Sequence, residues 1–318
     1  MNFDIIKYTI IFLTLFALEL IYFRIADRFN IIDKPNERSA HTQITLRGGG
    51  IIFYVAVVMF FIISKLQYPY FFVGLTLISI ISFADDIRSQ SRLLRLIVHF
   101  AAMLLMFFEW NLFAQHWYFV FIALIFCTGI INAYNFMDGI NGITGLYSIV
   151  ILAALWYVNN FVTVGFVQNS LIYCVVLSLV VFGVFNFRKK AKCFAGDVGS
   201  VSMAFIIIFI LGILIIKTHT ISYITLLSVY GVDAILTIIK RIILKENIFK
   251  PHRRHAYQIL ANEMKIPHLL VCAIYAGLQT VIFIGLLIFA NYKLIYSVTV
   301  IILLSIIYVI FTKKYSVK

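Results

Sequence analysis

Carboxylates, amides and basic groups gather in five short segments of this 318-residue chain, each suited to phosphate or divalent-cation chemistry. The densest is Asn132-Ala-Tyr-Asn135-Phe-Met-Asp138-Gly139-Ile-Asn141-Gly142-Ile-Thr-Gly145. Asn132, Asn135 and Asp138 recur every three residues, so they can share one face of a helix as it reaches a membrane surface. Amides and a carboxylate at the end of an apolar span are costly unless they are satisfied. The glycines that follow permit close approach of backbone or ligand, although a helix terminus with packing glycines has the same pattern.

The second segment is Ala195-Gly196-Asp197-Val198-Gly199-Ser200, directly before an apolar run. Ser200 is expected to cap the helix there, and free N–H groups at its start would favour an anion. Asp197 facing a phosphate needs a bridging cation, and Mg²⁺ supplies one; an Asp-Gly turn is the plain alternative. The third is the pair Asp85-Asp86 at the end of another apolar run. Adjacent carboxylates repel and point apart, which suits proton or metal handling or a solvated helix end.

Two basic segments complete the set. Asp33-Lys34-Pro35-Asn36-Glu37-Arg38-Ser39-Ala40-His41 leads to Arg47-Gly48-Gly49-Gly50, where His41, Arg47 and N–H donors of the glycine run could cradle phosphate. Lys250-Pro251-His252-Arg253-Arg254-His255 offers two histidines around two arginines able to clamp phosphate oxygens, or to bind lipid headgroups.

The elements that position these groups are membrane spans. The chain is 63% hydrophobic and 12% charged with a mean hydropathy of +1.02, which excludes an ordinary soluble domain. Apolar runs predict an all-α, polytopic bundle of eleven spans, or ten, forming a single domain over 1–318. They lie near 5–23, 48–64, 69–84, 94–111, 117–134, 142–158, 169–187, 200–217, 220–240, 267–291 and 294–312. The first lacks a small-residue cleavage site and is expected to be a retained span. The connections on one side carry 22 of the 26 Lys and Arg, leaving Lys7, Lys65, Lys217 and Lys293 opposite. That asymmetry predicts the N-terminus outside, the C-terminus inside, and functional loops near 24–50, 85–93, 135–145, 188–200 and 241–266 facing the cytoplasm. It also accounts for the net charge of +13 without nucleic acid. The scattered Cys127, Cys174, Cys193 and Cys272 suggest neither a zinc site nor disulfides.

Taken together and in this order, the five segments resemble the polyprenyl-phosphate N-acetylhexosamine-1-phosphate transferases, glycosyltransferases of the family 4 type. The resemblance runs from Asp33 to His255 and is nearest to the O-antigen-initiating branch in Asn135-Phe-Met-Asp138-Gly139-Ile-Asn141-Gly142 and His252-Arg-Arg-His255. It implies that an oxygen of undecaprenyl phosphate attacks the β-phosphorus of a UDP-N-acetyl sugar and displaces UMP. The resemblance further implies Mg²⁺, or Mn²⁺, on Asp197, with Asp85 and Asp86 orienting or deprotonating the lipid phosphate. Asn135 and Asp138 would sit at the nucleotide, and His252 and His255 at the diphosphate or sugar. A homodimer and the bacterial inner membrane are also expected.

The sequence departs from the family at Asn141, where many relatives have an aspartate, at Leu46, where proline is usual, and in having two histidines in the last loop. The departures in the last loop argue against a muramyl-pentapeptide donor. A carboxylate within a span, Asp233 is either functional, with Arg241 or Lys240 about two turns on, or a buried structural acceptor, and it keeps a secondary transporter with a midplane site as the alternative.

Overall fold

A computed structural model describes residues 2–33, 44–247 and 253–315. Helices α1 (Asn2–Arg28), α2 (Ile51–Ile63), α3 (Pro69–Ile87), α4 (Arg92–Glu109), α5 (Trp117–Met137) and α6 (Ile143–Tyr157) are followed by α7 (Asn169–Asn186) and α8 (Gly196–Thr218). A 3₁₀ turn at Ile221–Leu227 leads into α9 (Ser228–Ile243); the short α10 (Ala256–Gln258), α11 (His268–Ile288) and α12 (Lys293–Tyr315) complete the chain. Each of the eleven expected spans coincides with a helix. Among the described residues nine helical segments are long and apolar enough to cross a bilayer. The other two expected spans differ for local reasons: α2 has only 13 residues, and α4 is amphipathic and carries Arg92, Arg95 and Glu109. The protein is an all-α polytopic membrane protein.

Helix α8 is the axis of the bundle. Every residue from Val198 to Leu211 is buried, as expected for a helix that is apolar all round. Phe71 of α3 stacks on Phe205 and Phe209, and Ser79 bonds Ser202 at 2.8 Å, so α3 and α8 lie side by side. Their site-bearing ends are Asp85-Asp86 and Asp197. By contrast α5 and α12 leave most of their apolar surface outward, as lipid-facing helices do. The start of α1 packs with the start of α7 through Tyr8 and Tyr173, at the end of the bundle away from these acids.

Among the described residues there is one minimal sheet: Ile32–Asp33 (β1) pairs antiparallel with Thr45–Leu46 (β2), in register Ile32 to Leu46 and Asp33 to Thr45. Leu46 also bridges Cys193 in parallel. This pinch brings the chain before α2 against the chain before α8, and so fixes Arg47.

Candidate active site

The site is built on a joint between the starts of α2 and α8. Phe194 N–H donates to the Leu46 carbonyl at 2.8 Å, Gly49 N–H to that of Phe194 at 2.9 Å, and Gly50 N–H to that of Ala195 at 3.0 Å. The Gly49 and Gly50 donors, expected to cradle phosphate, are therefore engaged with backbone. Glycine is required for another reason: a Cβ on Gly199 would lie 2.8 Å from the Gly50 Cα, so the two helix starts touch backbone to backbone. Gly196 has φ +72°, and a Cβ there would meet an Asp86 oxygen at 2.5 Å.

The anion favoured by the start of α8 is a side chain of the protein itself. Asp86 accepts from the N–H groups of Asp197 (2.9 Å) and Val198 (3.0 Å), and its carboxylate is fully buried. Arg47 Nε approaches it at 2.7 Å. Ser200 does not cap α8; it sits one turn inside, where its hydroxyl donates to the Gly196 carbonyl at 3.1 Å. Gly196, four residues earlier, already begins the helix because its positive φ makes the turn.

Asp85 points the other way. Its oxygens accept from Gln90 N–H at 2.6 Å and from Arg95 Nη1 at 2.9 Å. Arg95 Nη2 also lies 3.9 Å from Asp197, whose other oxygen accepts from Asn135 Nδ2 at 3.2 Å and faces Arg47 Nη2 at 3.3 Å. With its side chain 20% exposed, against 9% for Asp85 and none for Asp86, Asp197 is the most accessible of these three carboxylates. Burial tends to lower the Arg47 pKa, but Asp86 and Asp197 outweigh it and hold the guanidinium charged.

The Asn132–Gly145 segment divides. Asn132 is exposed, Asn135 reaches Asp197 and Ser200, and Asp138 lies just past the last turn of α5, accepting from Thr144 Oγ1 at 2.7 Å. Burial, opposed by the Thr144 hydrogen bond and reinforced by the charges of Asp197 and Asp86, pushes Asp138 up to about 7. Asn141, at the position of a family aspartate, is buried and donates to the carbonyls of Arg188 and Lys189, which a carboxylate could not do.

The last loop folds back against the bundle. His255 is buried, with Nδ1 3.3 Å from Asp233, and starts α10; Arg254 pairs with Glu246. Arg253 borders the same segment, whereas His252 and His41 lie outside the described residues. Arg241 shares the buried face of α9 with Asp233 but bonds Glu246 at 3.2 Å and the Asn247 carbonyl at 2.6 Å. Asp233 is thus engaged by this loop, which removes the feature that suggested a midplane transport site.

Asp85, Asp86, Asp197, Asn135 and Arg47 therefore meet in one place. Arg95 joins them without having been singled out in the sequence. Its signal was available: Ser91, which caps α4 by accepting from Leu94 N–H at 3.2 Å, starts an amphipathic helix whose first turn carries Arg95 back to the acids. Tyr257 was also missed; its hydroxyl donates to the Phe136 carbonyl at 2.9 Å, which carries no sequence signature.

Residues 68–216 match the family described as Glycosyl transferase family 4, a stretch that contains all three acids and Asn135. The chain is 27% identical over 296 residues to the undecaprenyl-phosphate alpha-N-acetylglucosaminyl 1-phosphate transferase of Escherichia coli O157:H7, covering 82% of this chain and 77% of that protein. It is 29% identical to the phospho-N-acetylmuramoyl-pentapeptide-transferase of Thermotoga maritima over 69% of this chain and 77% of that one. A probable undecaprenyl-phosphate N-acetylglucosaminyl 1-phosphate transferase of Bacillus subtilis is 24% identical, over 80% and 76%.

Proposed function

Because this chain belongs to the polyprenyl-phosphate N-acetylhexosamine-1-phosphate transferase family, we propose that it transfers an N-acetylhexosamine 1-phosphate from a UDP-sugar to undecaprenyl phosphate. UMP leaves, and the lipid-diphosphate sugar begins a surface polysaccharide such as O-antigen. In this reading the loop-rich end faces the cytoplasm from the bacterial inner membrane. The observation that carries it is the convergence of Asp85, Asp197, Asn135, Arg47 and Arg95 at one end of a membrane bundle.

Such a place suits the reaction. The isoprenoid stays in hydrocarbon while its phosphate reaches the ends of α3 and α8. Arg47 and Arg95 are placed to exchange a carboxylate for a phosphate oxygen, since a guanidinium binds both in the same fork geometry. Asp85, turned outward by Arg95 and Gln90, is the carboxylate that orients the attacking phosphate. Asp86 holds the start of α8 and thereby aims Asp197. Asn135 fixes one Asp197 oxygen from the side.

The donor set also fits the divalent ion expected of the family. Among the described residues, Asp85, Asp86, Asp138 and Asp197 stand against the two guanidiniums of Arg47 and Arg95. Mg²⁺ is commonly held by one or two carboxylates plus substrate phosphates, and Asp197 with Asp85 beside it offers that. When bound, the ion would neutralise charge developing on the diphosphate oxygens.

The test is UMP release by detergent-purified protein given undecaprenyl phosphate, Mg²⁺ and a panel of UDP-N-acetyl sugars that includes 6-deoxy donors. Lipid- and Mg²⁺-dependent UMP establishes the reaction, and the donor that gives it names the sugar. No UMP from any donor, by protein that remains folded, overturns the proposal.

A further inference from the structure

Asp233 is a buried carboxylate about 15 Å along the axis from the end of α9, on the face it shares with Thr237 and Arg241. Its oxygens accept from Ala256 N–H at 2.9 Å, Tyr257 N–H at 3.3 Å, the Tyr275 hydroxyl at 2.6 Å and the Thr237 hydroxyl at 3.3 Å, with His255 Nδ1 at 3.3 Å. Burying a carboxylate is costly unless it is fully satisfied, so this set of donors defines one position for the chain that supplies them. That chain is the return of the last loop. Irregular backbone at this depth is tolerated where protein surrounds it, and Asp233 supplies acceptors for the first N–H groups of α10 and so replaces water.

The same turn grips the other wall of the site. Tyr257 is fully buried, its hydroxyl donates to the Phe136 carbonyl, and Gly139 has no side chain where that hydroxyl lies. One residue of α10 is therefore held by α9 at its backbone and by the Asn135–Gly139 segment at its side chain.

We propose that Asp233 is a positioning residue: through the His255–Tyr257 turn it clasps the last loop to the Phe136–Gly139 segment, so that both walls of the donor side are held as one body. The clasp rests on the reading of this end as the UDP-sugar site. Its substrate consequence is specific. Asp233 touches no reacting group, so loosening the clasp weakens donor binding and leaves the acid cluster at Asp197 in place.

The test compares wild type with Asp233→Asn, Tyr257→Phe, Tyr275→Phe and the Asp233→Asn/Tyr257→Phe pair. For Asp233→Asn the KM for the UDP-sugar rises about tenfold while kcat falls less than about threefold and the KM for lipid is unchanged. The double variant is no worse than Asp233→Asn alone, because both changes open one clasp. Amide exchange at 255–263 and at 136–139 speeds up together in Asp233→Asn and in Tyr257→Phe. Additive losses, a fall in kcat at constant donor KM, or unchanged exchange at 136–139 would overturn the proposal. Should Asp233→Asn fail to fold, Tyr257→Phe and Tyr275→Phe, each lacking one hydroxyl, carry the same comparisons. Should wild type turn over no UDP-sugar, the reaction assignment fails, and the exchange measurements still decide the clasp.

Discussion

Asp85 and Asp86 are neighbours in sequence and have opposite surroundings. Asp86 is buried, bonded by two backbone N–H groups at the start of α8 and by Arg47. Asp85 and Asp197 lie at an accessible edge, held by the side chains of Arg95, Arg47 and Asn135 and by a single backbone donor, Gln90. Backbone donors are fixed by the fold and cannot be exchanged for a ligand. Side-chain cations and amides can rotate onto one. The difference separates a carboxylate that builds the site from carboxylates that can work in it.

Two substitutions separate these roles most sharply. Asp197→Asn keeps size and much of the hydrogen bonding while removing the charge at the edge. It should lower UMP release by about a thousandfold or more, the scale expected when a principal electrostatic contact is lost, with the melting temperature in detergent nearly unchanged. Asp86→Ala should do the reverse in stability: it leaves the N–H groups of Asp197 and Val198 unpaired and Arg47 with Asp197 as its remaining carboxylate, a loss of about 1–3 kcal/mol. Thermal unfolding followed by tryptophan fluorescence checks it. An Asp86→Ala protein as stable as wild type would erase the distinction between the two regions.

Much of this was legible in the sequence. Apolar length and the positions of charge placed eleven of the twelve helices described, all but the short α10, because a bilayer allows few alternatives to a satisfied helix. The motif order identified the segments that meet. Pairing across the fold was less visible. The Gly48-Gly49-Gly50 run looks the same whether its N–H groups face a ligand or the Phe194 and Ala195 carbonyls, since glycine spacing does not encode its partner. Ser200 has the residue type of a cap, but the positive φ of Gly196 starts α8 earlier. Asp233 read equally as a functional carboxylate and as a buried structural acceptor, because the donors that decide between the two come mainly from a loop more than twenty positions later and from α11.

A pH profile sharpens the contrast at a third acid. Asp138 has its pKa raised from 3.8 to about 7. The folded protein then holds a proton that the unfolded chain has lost between these values, so the contribution of Asp138 to stability declines as pH rises from about 4 to about 7 and levels off above. Activity should run the other way if ionised Asp138 serves the nucleotide end: kcat/KM climbs up to about tenfold per pH unit below 7 and reaches a plateau above. Asp138→Asn should flatten the stability slope in this window and melt higher than wild type at pH 8. A wild-type slope retained in Asp138→Asn would place the titration elsewhere.

The smallest effect tests whether the accessible edge depends on local helix structure. Ser91 caps α4 through Leu94 N–H, and Arg95 stands at the end of that first turn. Ser91→Ala removes one cap, about 1 kcal/mol of helix stability. The loss falls on the turn that aims Arg95 at Asp85 and Asp197 rather than on the buried joint. Fraying there should raise the KM for undecaprenyl phosphate a few-fold while global melting shifts by a few degrees at most. Ser91→Asp, which can cap and places negative charge at a helix start, should restore the wild-type value. If Ser91→Ala instead alters unfolding as Asp86→Ala does, the α4 turn belongs to the structural joint, and the edge of the site is narrower than the geometry of Arg95 suggests.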